Sequence, residues 1–387
     1  MAAGTVTLAD RVDPAESGPK ARAEYGPDGG EFSGITSETP IVDWTDVFIR
    51  FNLDPNVFEV VDDTVRCSTW QQSKRLENGE RDVVNLYSYR ALFRRRTTHH
   101  DLPALYASAR RKPAKRFVPS RSGKTSVPVL ADLQIGKVGS RGGTPELIDR
   151  MVEKREKLAA ELKRRKPEDI VLPDINDLFE NFESGGNPMF TNDLSLAQQM
   201  DVAAVEVYEL VKLASRFGRV RIPVVPSNHT AWRRGSQNLG RPGDDLGIFV
   251  HKQVERTAKA AKLDAEWIFP AMYDETVTVD VRGTILGLAH GNQFRPKRAP
   301  DWWAKQTHGA QPVGEADILI TGHYHHLMVW PTGRNPRTGR SKWWLQAPTL
   351  DNGSDWYRNI AGDDSDPGLL LFDITDNGFD LQSLTVL

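Results

Sequence analysis

The sequence has very little cysteine: Cys67 is the only one among 387 residues. A single cysteine excludes an internal disulfide, offers no thiolate cluster for a metal, and fits a reducing cytosol. The chain also lacks a run of about 18 uncharged apolar residues, the length that a membrane-spanning helix needs. Its first twenty residues include acids and no apolar stretch of signal-peptide length. We therefore expect a soluble, cytoplasmic protein with no membrane partner.

Composition divides the chain into four segments. Residues 1–45 are rich in Gly, Pro, Ser and acids without periodicity, which predicts a flexible tail. Residues 46–93 predict a small α+β module, in which Asn78-Gly79 is a strong hairpin signal between two strands. A basic linker is expected over 94–125, and residues 126–387 are expected to form the main domain. The sequence assigns no role to the module.

The near-neutral formal charge of −2 hides a local excess of positive charge. Residues 94–124 contain ten of the chain's 50 Lys and Arg but one of its 52 acids, Asp101. Such a stretch is typical of a linker that contacts a phosphate backbone. It is equally typical of a solvated linker that its charges keep extended. Nucleic acid, as a DNA substrate, is the partner that we expect if the first interpretation holds.

The main domain shows helix and strand patterns in alternation. Apolar residues recur at helical spacing over 146–166 and 197–217, and strand-rich sequence follows from Val277. Helices that alternate with apolar strands early, followed by many strands, predict an α/β (α+β) fold. We expect a two-sheet β-sandwich flanked by helices, preceded by the small N-terminal α+β module.

Five polar segments each follow an apolar, strand-like run. They are Asp132-Leu133-Gln134, Asp177-Leu178-Phe179-Glu180-Asn181, Asn228-His229, His290-Gly291 and Gly322-His323-Tyr324-His325. In α/β folds ligands collect at the carboxyl ends of the strands, so five strand ends can meet in one cleft. Carboxylate, amide oxygen and imidazole are mixed ligands that suit Mn, Fe or Zn better than Ca. The pattern therefore predicts a metal site.

These five segments resemble the calcineurin-like metallophosphoesterase superfamily, over roughly residues 126–350. Its pattern reads Asp-x-His, Gly-Asp, Gly-Asn-His-Asp/Glu, His and Gly-His-x-His. Asn176-Asp177-Leu178-Phe179 looks closest to the phosphodiesterase and DNA repair exonuclease branch. The resemblance implies a hydrolase of phosphate esters with the two-sheet fold.

Carried over by motif, the resemblance implies two divalent metal ions. One would be held by Asp132, Gln134, Asp177 and His325, and the other by Asp177, Asn228, His290 and His323. Such a pair, about 3.5–4 Å apart, polarises the phosphoryl group and activates a bridging water as hydroxide. His229 would protonate the leaving group, because its ordinary pKa lies close to working pH. We expect Mn, with Fe, Zn or Mg as alternatives.

Three positions depart from the superfamily pattern. Gln134 replaces a histidine, and its weaker amide oxygen favours Mn or Mg over Zn. Thr230 stands where a carboxylate usually orients the catalytic histidine, so either another acid supplies that contact or His229 is less well poised. Asn176 replaces glycine, and Asp174 competes with Asp177 for the ligand position.

Basic residues follow the third and fourth motifs, in loops that should border the cleft. Arg233, Arg234 and Arg295 are candidates to bind a substrate phosphate, although charge runs are usually solvated. We expect a metal-dependent phosphodiesterase, a nuclease acting on DNA in repair. A phosphomonoesterase of the serine/threonine phosphatase type is one alternative, and a nucleic-acid-binding scaffold with a decayed site is another. A partner ATPase and a homo-oligomer both stay open.

Overall fold

The computed structural model describes residues 21–26, 29–75, 80–96, 122–182, 191–234, 237–353, 355, 358–359 and 365–387. The chain forms two compact units, Met1–Thr98 and His99–Leu387. None of the helices in these described ranges has the length and apolar character needed to cross a membrane.

The first unit is a five-stranded antiparallel sheet with one short helix. Its elements are β1 (Arg22–Gly26), β2 (Gly29–Ser37), α1 (Thr45–Arg50), β3 (Phe58–Val60), β4 (Arg66–Arg75) and β5 (Arg81–Arg95). The long strand β5 pairs with β2, β3 and β4. The predicted hairpin is confirmed by its two strands, since Arg75 pairs with Arg81. The turn itself, Asn78-Gly79, lies outside the described residues.

The expected tail over residues 1–45 is wrong where the structure describes it. Residues 22–37 form β1 and β2, and Phe32 and Ile35 are buried in the core of the unit. The ring of Phe32 stacks on that of Phe93 with centroids 4.3 Å apart. Two apolar side chains hold this glycine-rich stretch because β5 supplies both the packing surface and the hydrogen bonds. Residues 1–20 lie outside the described residues.

The basic linker expected over 94–125 is shorter than predicted at both ends. Arg94 and Arg95 are the last residues of β5, where they pair with Glu59 and Phe58. Lys124 is the first residue of β6. The part between, residues 97–121, lies outside the described residues, so its proposed contact with nucleic acid stays a prediction.

The second unit has two sheets. The first contains, in spatial order, β11 (Ala265–Ile268), β8 (Arg219–Pro223), β7 (Asp169–Val171), β6 (Lys124–Val129), β17 (Leu370–Thr375) and β18 (Gly378–Val386). The second contains β12 (Thr276–Val281), β13 (Thr284–Ala289), β14 (Ile318–Thr321), β16 (Ser341–Gln346) and β15 (Met328–Arg334). The four strands β11, β8, β7 and β6 are parallel, as are β13, β14 and β16. Two further strands of two residues each, β9 (Arg233–Arg234) and β10 (Gln237–Asn238), pair with each other and form a separate small sheet.

The two sheets face each other across a shared apolar core. Val127 and Phe372 of the first sheet belong to the same buried cluster as Leu288 and Ile320 of the second. Three helices, α2 (Thr144–Arg165), α3 (Leu196–Ala214) and α4 (Leu246–Ala260), pack on the outer face of the first sheet. The helix α5 (Ala299–His308) covers the second. The predicted two-sheet sandwich flanked by helices is confirmed.

Candidate metal centre

The five predicted segments follow β6, β7, β8, β13 and β14, and the backbone ties their loops together. The backbone amide of Asp132 donates to the carbonyl oxygen of Asn176 at 2.9 Å. The backbone amide of Gln134 donates to the main-chain carbonyl oxygen of Asp177 at 2.8 Å. The amide of His323 donates to both carboxylate oxygens of Asp132 at 3.1 Å. The parallel strands therefore deliver their polar ends to one place, as the sequence predicts.

Five of the expected ligands have a left-handed backbone. The φ angles of Asp132, Gln134, Asp177, His323 and His325 are 51°, 45°, 53°, 67° and 62°. This region is disfavoured for residues with a Cβ and costs on the order of 1–3 kcal/mol each. Such strain persists only where the surrounding structure imposes it, and it concentrates at functional sites. Packing of the sandwich thus holds the backbone of these five residues in a strained conformation.

Asp177, His290 and His323 form a group that can hold a metal ion. Their ligand atoms all lie within 4.8 Å of one another. His290 Nε2 is 3.0 Å from Asp177 Oδ2 and 2.9 Å from Asn228 Oδ1. His290 Nδ1 lies 2.9 Å from the carbonyl oxygen of Ile175, so the neutral ring keeps its proton on Nδ1 and has a lone pair on Nε2 for a cation. Electron-pair donors then converge on one point, where a cation fits.

Two electrostatic features agree with this arrangement. The fully buried Oδ2 of Asp177 accepts no hydrogen bond among the described residues. Burial opposes a charge on His290, but the carboxylates of Asp177 and Asp132 together outweigh burial and raise the pKa of this histidine to about 9. A cation that binds Nε2 would therefore displace the proton that the ring otherwise holds there. Burial and the neighbouring His290 lower the pKa of His323 to about 4, so this imidazole offers a free electron pair. Asp177, Asn228, His290 and His323 therefore fit the metal expected there.

His229 stands at the edge of this group and has a carboxylate partner. Its amide donates to Asp177 Oδ1 at 2.9 Å, and its ring Nε2 lies 3.8 Å from Asp177 Oδ2. The other ring nitrogen, Nδ1, lies 3.1 Å from the main-chain oxygen of Glu180 and 3.2 Å from its Oε2. Burial alone would lower the pKa of His229, but Asp177 and Glu180 raise it to about 10. The His229 ring is therefore protonated on both nitrogens and carries a positive charge.

Glu180 answers the question that Thr230 raised. Another acid does lie beside His229, and it comes from the second motif rather than the third: Glu180 Oε2 is 3.2 Å from Nδ1, which also faces the main-chain oxygen of Glu180 at 3.1 Å. The Thr230 hydroxyl lies 2.7 Å from both Asp245 Oδ2 and Ser227 Oγ, away from the histidine. Glu180 belongs to the polar segment that begins at Asp177, but its sequence position alone does not show that it faces His229.

The competition between Asp174 and Asp177 is also decided by position. Asp174 Oδ2 is 2.6 Å from His251 Nε2, and both side chains are completely buried. The other ring nitrogen of His251 accepts the indole N–H of Trp267 at 3.1 Å. Asp174 thus belongs to a buried structural network, and Asp177 belongs to the cluster.

The set expected for the other metal, Asp132, Gln134, Asp177 and His325, does not fit a cation as it stands. Lys137 Nζ lies 2.5 Å from Gln134 Oε1 and 2.5 Å from Asp351 Oδ2. The Gln134 amide nitrogen lies 3.4 Å from His325 Nε2. Burial opposes the charge on Lys137, but Asp351, Glu180 and Asp132 together outweigh burial and raise the pKa of the ammonium. A positive charge therefore already occupies this corner. No sequence motif pointed to Lys137 or Asp351 as members of the site.

Of the three candidate arginines, one lines a hollow that a residue of the candidate site also lines. Arg233 lines a hollow together with Asn228, and its Nε donates to Asn238 Oδ1 at 2.6 Å. Trp232 lines the same hollow and leaves 55% of its surface exposed. Arg234 and Arg295 are exposed and do not line this hollow. Of the three, Arg233 is the one placed to contact a substrate in the hollow beside Asn228.

Fold and site together define a two-sheet α/β protein with a candidate metal centre at its strand ends. No protein-family model matches the chain, and no curated protein matches its sequence. Among solved structures, a predicted phosphoesterase from Streptococcus pneumoniae TIGR4 is 13% identical with a TM-score of 0.25, over 68% of this chain and 97% of its own. A metallophosphoesterase from Sphaerobacter thermophilus is 10% identical with a TM-score of 0.26, over 66% and 84%.

A purple acid phosphatase from yellow lupin (Lupinus luteus) seeds is 12% identical with a TM-score of 0.32, over 95% of this chain and 73% of its own. At TM-scores this low, neither the activity nor the substrates of these proteins carry over to this chain. Its chemistry has to be argued from its own residues.

Proposed function

We propose that the protein is a metal-dependent phosphoesterase, and more specifically a phosphodiesterase that hydrolyses DNA. The observation that carries the proposal is the cluster of Asp177, His290 and His323, in which the buried Oδ2 of Asp177 lies 3.0 Å from His290 Nε2. A protonated histidine stands beside it, held by Glu180. A Lewis acid next to a positioned proton donor is the combination that phosphate ester hydrolysis needs.

The residues divide the work as follows. Asp177, Asn228, His290 and His323 would hold a divalent cation, for which their oxygen and nitrogen atoms favour Mn. When bound there, such a cation would supply charge to polarise a phosphoryl oxygen and to lower the pKa of a water. His229 holds a proton at Nε2, which lies 3.8 Å from Asp177 Oδ2 and therefore beside the ligands of the cation. Glu180 fixes the ring, so that the proton is delivered to the leaving oxygen.

A nucleic acid substrate is supported by two features beside the centre. Trp232 and Arg233 line the hollow that Asn228 borders, so that an aromatic face and a guanidinium stand next to the cluster. An exposed aromatic can stack on a base, and a guanidinium can bind a backbone phosphate. The basic composition of residues 94–124 points to the same class of substrate.

The test is Mn-dependent hydrolysis of labelled single- and double-stranded DNA, of bis-para-nitrophenyl phosphate and of para-nitrophenyl phosphate. Wild type is compared with Asp177→Ala and His229→Ala, and His308→Ala serves as a control because His308 is exposed and outside the cluster. We expect diester cleavage that requires Mn, Asp177 and His229. Turnover of the monoester alone would favour a phosphomonoesterase instead. No metal-dependent turnover at all would favour a binding protein with a decayed site.

A further inference from the structure

Lys137 lies in the corner of the site where the resemblance led us to expect a metal. Its side chain is only 13% exposed, and its ammonium contacts the carboxylate of Asp351. The Asp351 side chain is 1% exposed, and its Oδ1 accepts the amide of Gly353 at 2.7 Å. A buried carboxylate requires a counter-charge, and Lys137 supplies it.

The remaining polar atoms of this corner are also arranged around the lysine. The oxygen of Gln134 faces the ammonium, while its amide nitrogen faces His325. His325 lies between two carboxylates, with Nε2 3.4 Å from Asp132 Oδ1 and Nδ1 3.7 Å from Asp351 Oδ2. The charges of Asp132 and Asp351 are thus balanced by protein groups. A divalent cation on Gln134 would lie beside an ammonium that repels it.

The other corner shows the opposite arrangement. Asp177, His290 and His323 are the one group of three His, Cys, Asp or Glu residues, within the described parts of the second unit, whose ligand atoms all approach within 4.8 Å. Among the described residues, no lysine or arginine forms a hydrogen bond or an ion pair with these three side chains. The positive charge near Asp177 belongs to histidines, whose protons a metal ion can displace, whereas the other corner holds a lysine ammonium.

We propose that this chain binds one divalent cation, through Asp177, Asn228, His290 and His323, and that the ammonium of Lys137 takes the place of the second. This inference rests on the proposed function, because it assumes that the first site binds a metal. In this proposal Lys137 is the fixed positive charge that faces the phosphate, and Asp351 and Gln134 hold its ammonium in position. Gln134, a departure from the superfamily pattern, then has a reason, since an amide oxygen accepts from an ammonium and a protonated histidine does not.

The test is the number of Mn ions bound per full-length chain, measured by isothermal titration calorimetry and by elemental analysis after equilibration in millimolar Mn. We expect one ion for wild type, none for His323→Ala, and still one for His325→Ala. Lys137→Met should raise the count to two, because it frees Gln134, Asp351 and His325. Lys342→Met is the matched control, since its half-buried ammonium binds the carbonyl of Gly314 and should leave the count at one.

Each result bears on a separate claim. Two ions in wild type, with one lost in His325→Ala, would overturn the inference and leave the proposed function intact. A count that stays at one in Lys137→Met, in a variant whose circular dichroism matches wild type, would show that the lysine does not exclude the second ion. No ion in wild type would instead contradict the proposed function itself.

Discussion

Asp245 connects the two loops that carry Asp177 and His229, although it touches neither. Its Oδ1 accepts the side-chain amide of Asn176 at 2.9 Å and the amide of Ile248 at 3.0 Å. Its Oδ2 accepts the hydroxyl of Thr230 at 2.7 Å and the amide of Ser227 at 3.2 Å. One buried carboxylate thus joins the second motif, the third motif and the first turn of α4.

The cost of replacing it can be worked out from these contacts. Burial raises the pKa of Asp245, and its hydrogen bonds partly offset that effect. Asp245→Ala would leave four buried donors unpaired, at about 1–3 kcal/mol each, while it removes the cost of burying the charge. We expect a net loss of roughly 3–5 kcal/mol in the free energy of unfolding. Asp245→Asn keeps the shape but turns an NH2 group towards two donors, so we expect about 1–3 kcal/mol.

The assay is urea unfolding of the full chain followed by tryptophan fluorescence, together with Mn affinity by calorimetry. Asp244→Asn is the matched control, because the adjacent Asp244 forms an ion pair with Arg241 on the surface, where water screens the charges, so that its loss should leave stability almost unchanged. We expect Asp245→Asn to weaken Mn binding as well, since both ligand loops loosen. An Asp245→Asn variant with the stability and Mn affinity of Asp244→Asn would refute this reasoning.

Three further predictions concern the proton donor, the hollow and the buried network. Glu180→Gln should slow diester hydrolysis about 10–100-fold with Mn content unchanged, because His229 loses the charge that orients it; a rate equal to wild type would count against this role. Trp232→Ala should weaken binding of single-stranded DNA by about 1–3 kcal/mol in a fluorescence titration, with turnover of bis-para-nitrophenyl phosphate unchanged, whereas Phe249→Ala, an exposed aromatic outside the hollow, should alter neither. His251→Ala should lower the free energy of unfolding by about 3–5 kcal/mol, as urea titration can show, because it leaves the carboxylate of Asp174 buried without its partner.

The strands and their polar ends could be predicted because both are local in sequence. An apolar run predicts a buried strand, and topology then places its carboxyl end at the cleft, so Asp132, Asp177 and His290 were found from the sequence. Lys137 and Asp351 meet from positions 214 apart, and no periodicity reveals such a pair. The strand β2 was missed for the same reason, since its partners in β5 lie fifty or more residues further along the chain.

The orientation of side chains is the second part that sequence reasoning could not supply. Glu180 and Asp174 both lie near Asp177 in the chain, yet one faces His229 and the other faces His251. Which way each points depends on left-handed backbone angles, such as φ 53° at Asp177, that only the packed loops enforce. Motif spacing therefore identified the ligand types, and tertiary packing decided their partners.

The proposed function requires that Asp177, Asn228, His290 and His323 hold a divalent cation and that phosphodiester hydrolysis depends on it. The most direct measurement is the rate of bis-para-nitrophenyl phosphate hydrolysis during Mn titration, for wild type and His323→Ala. We predict that the wild-type rate rises with Mn to a plateau and is abolished by EDTA, while His323→Ala stays at the background rate. A wild-type rate that EDTA does not change, or a His323→Ala variant as fast as wild type at equal Mn, would contradict the claim.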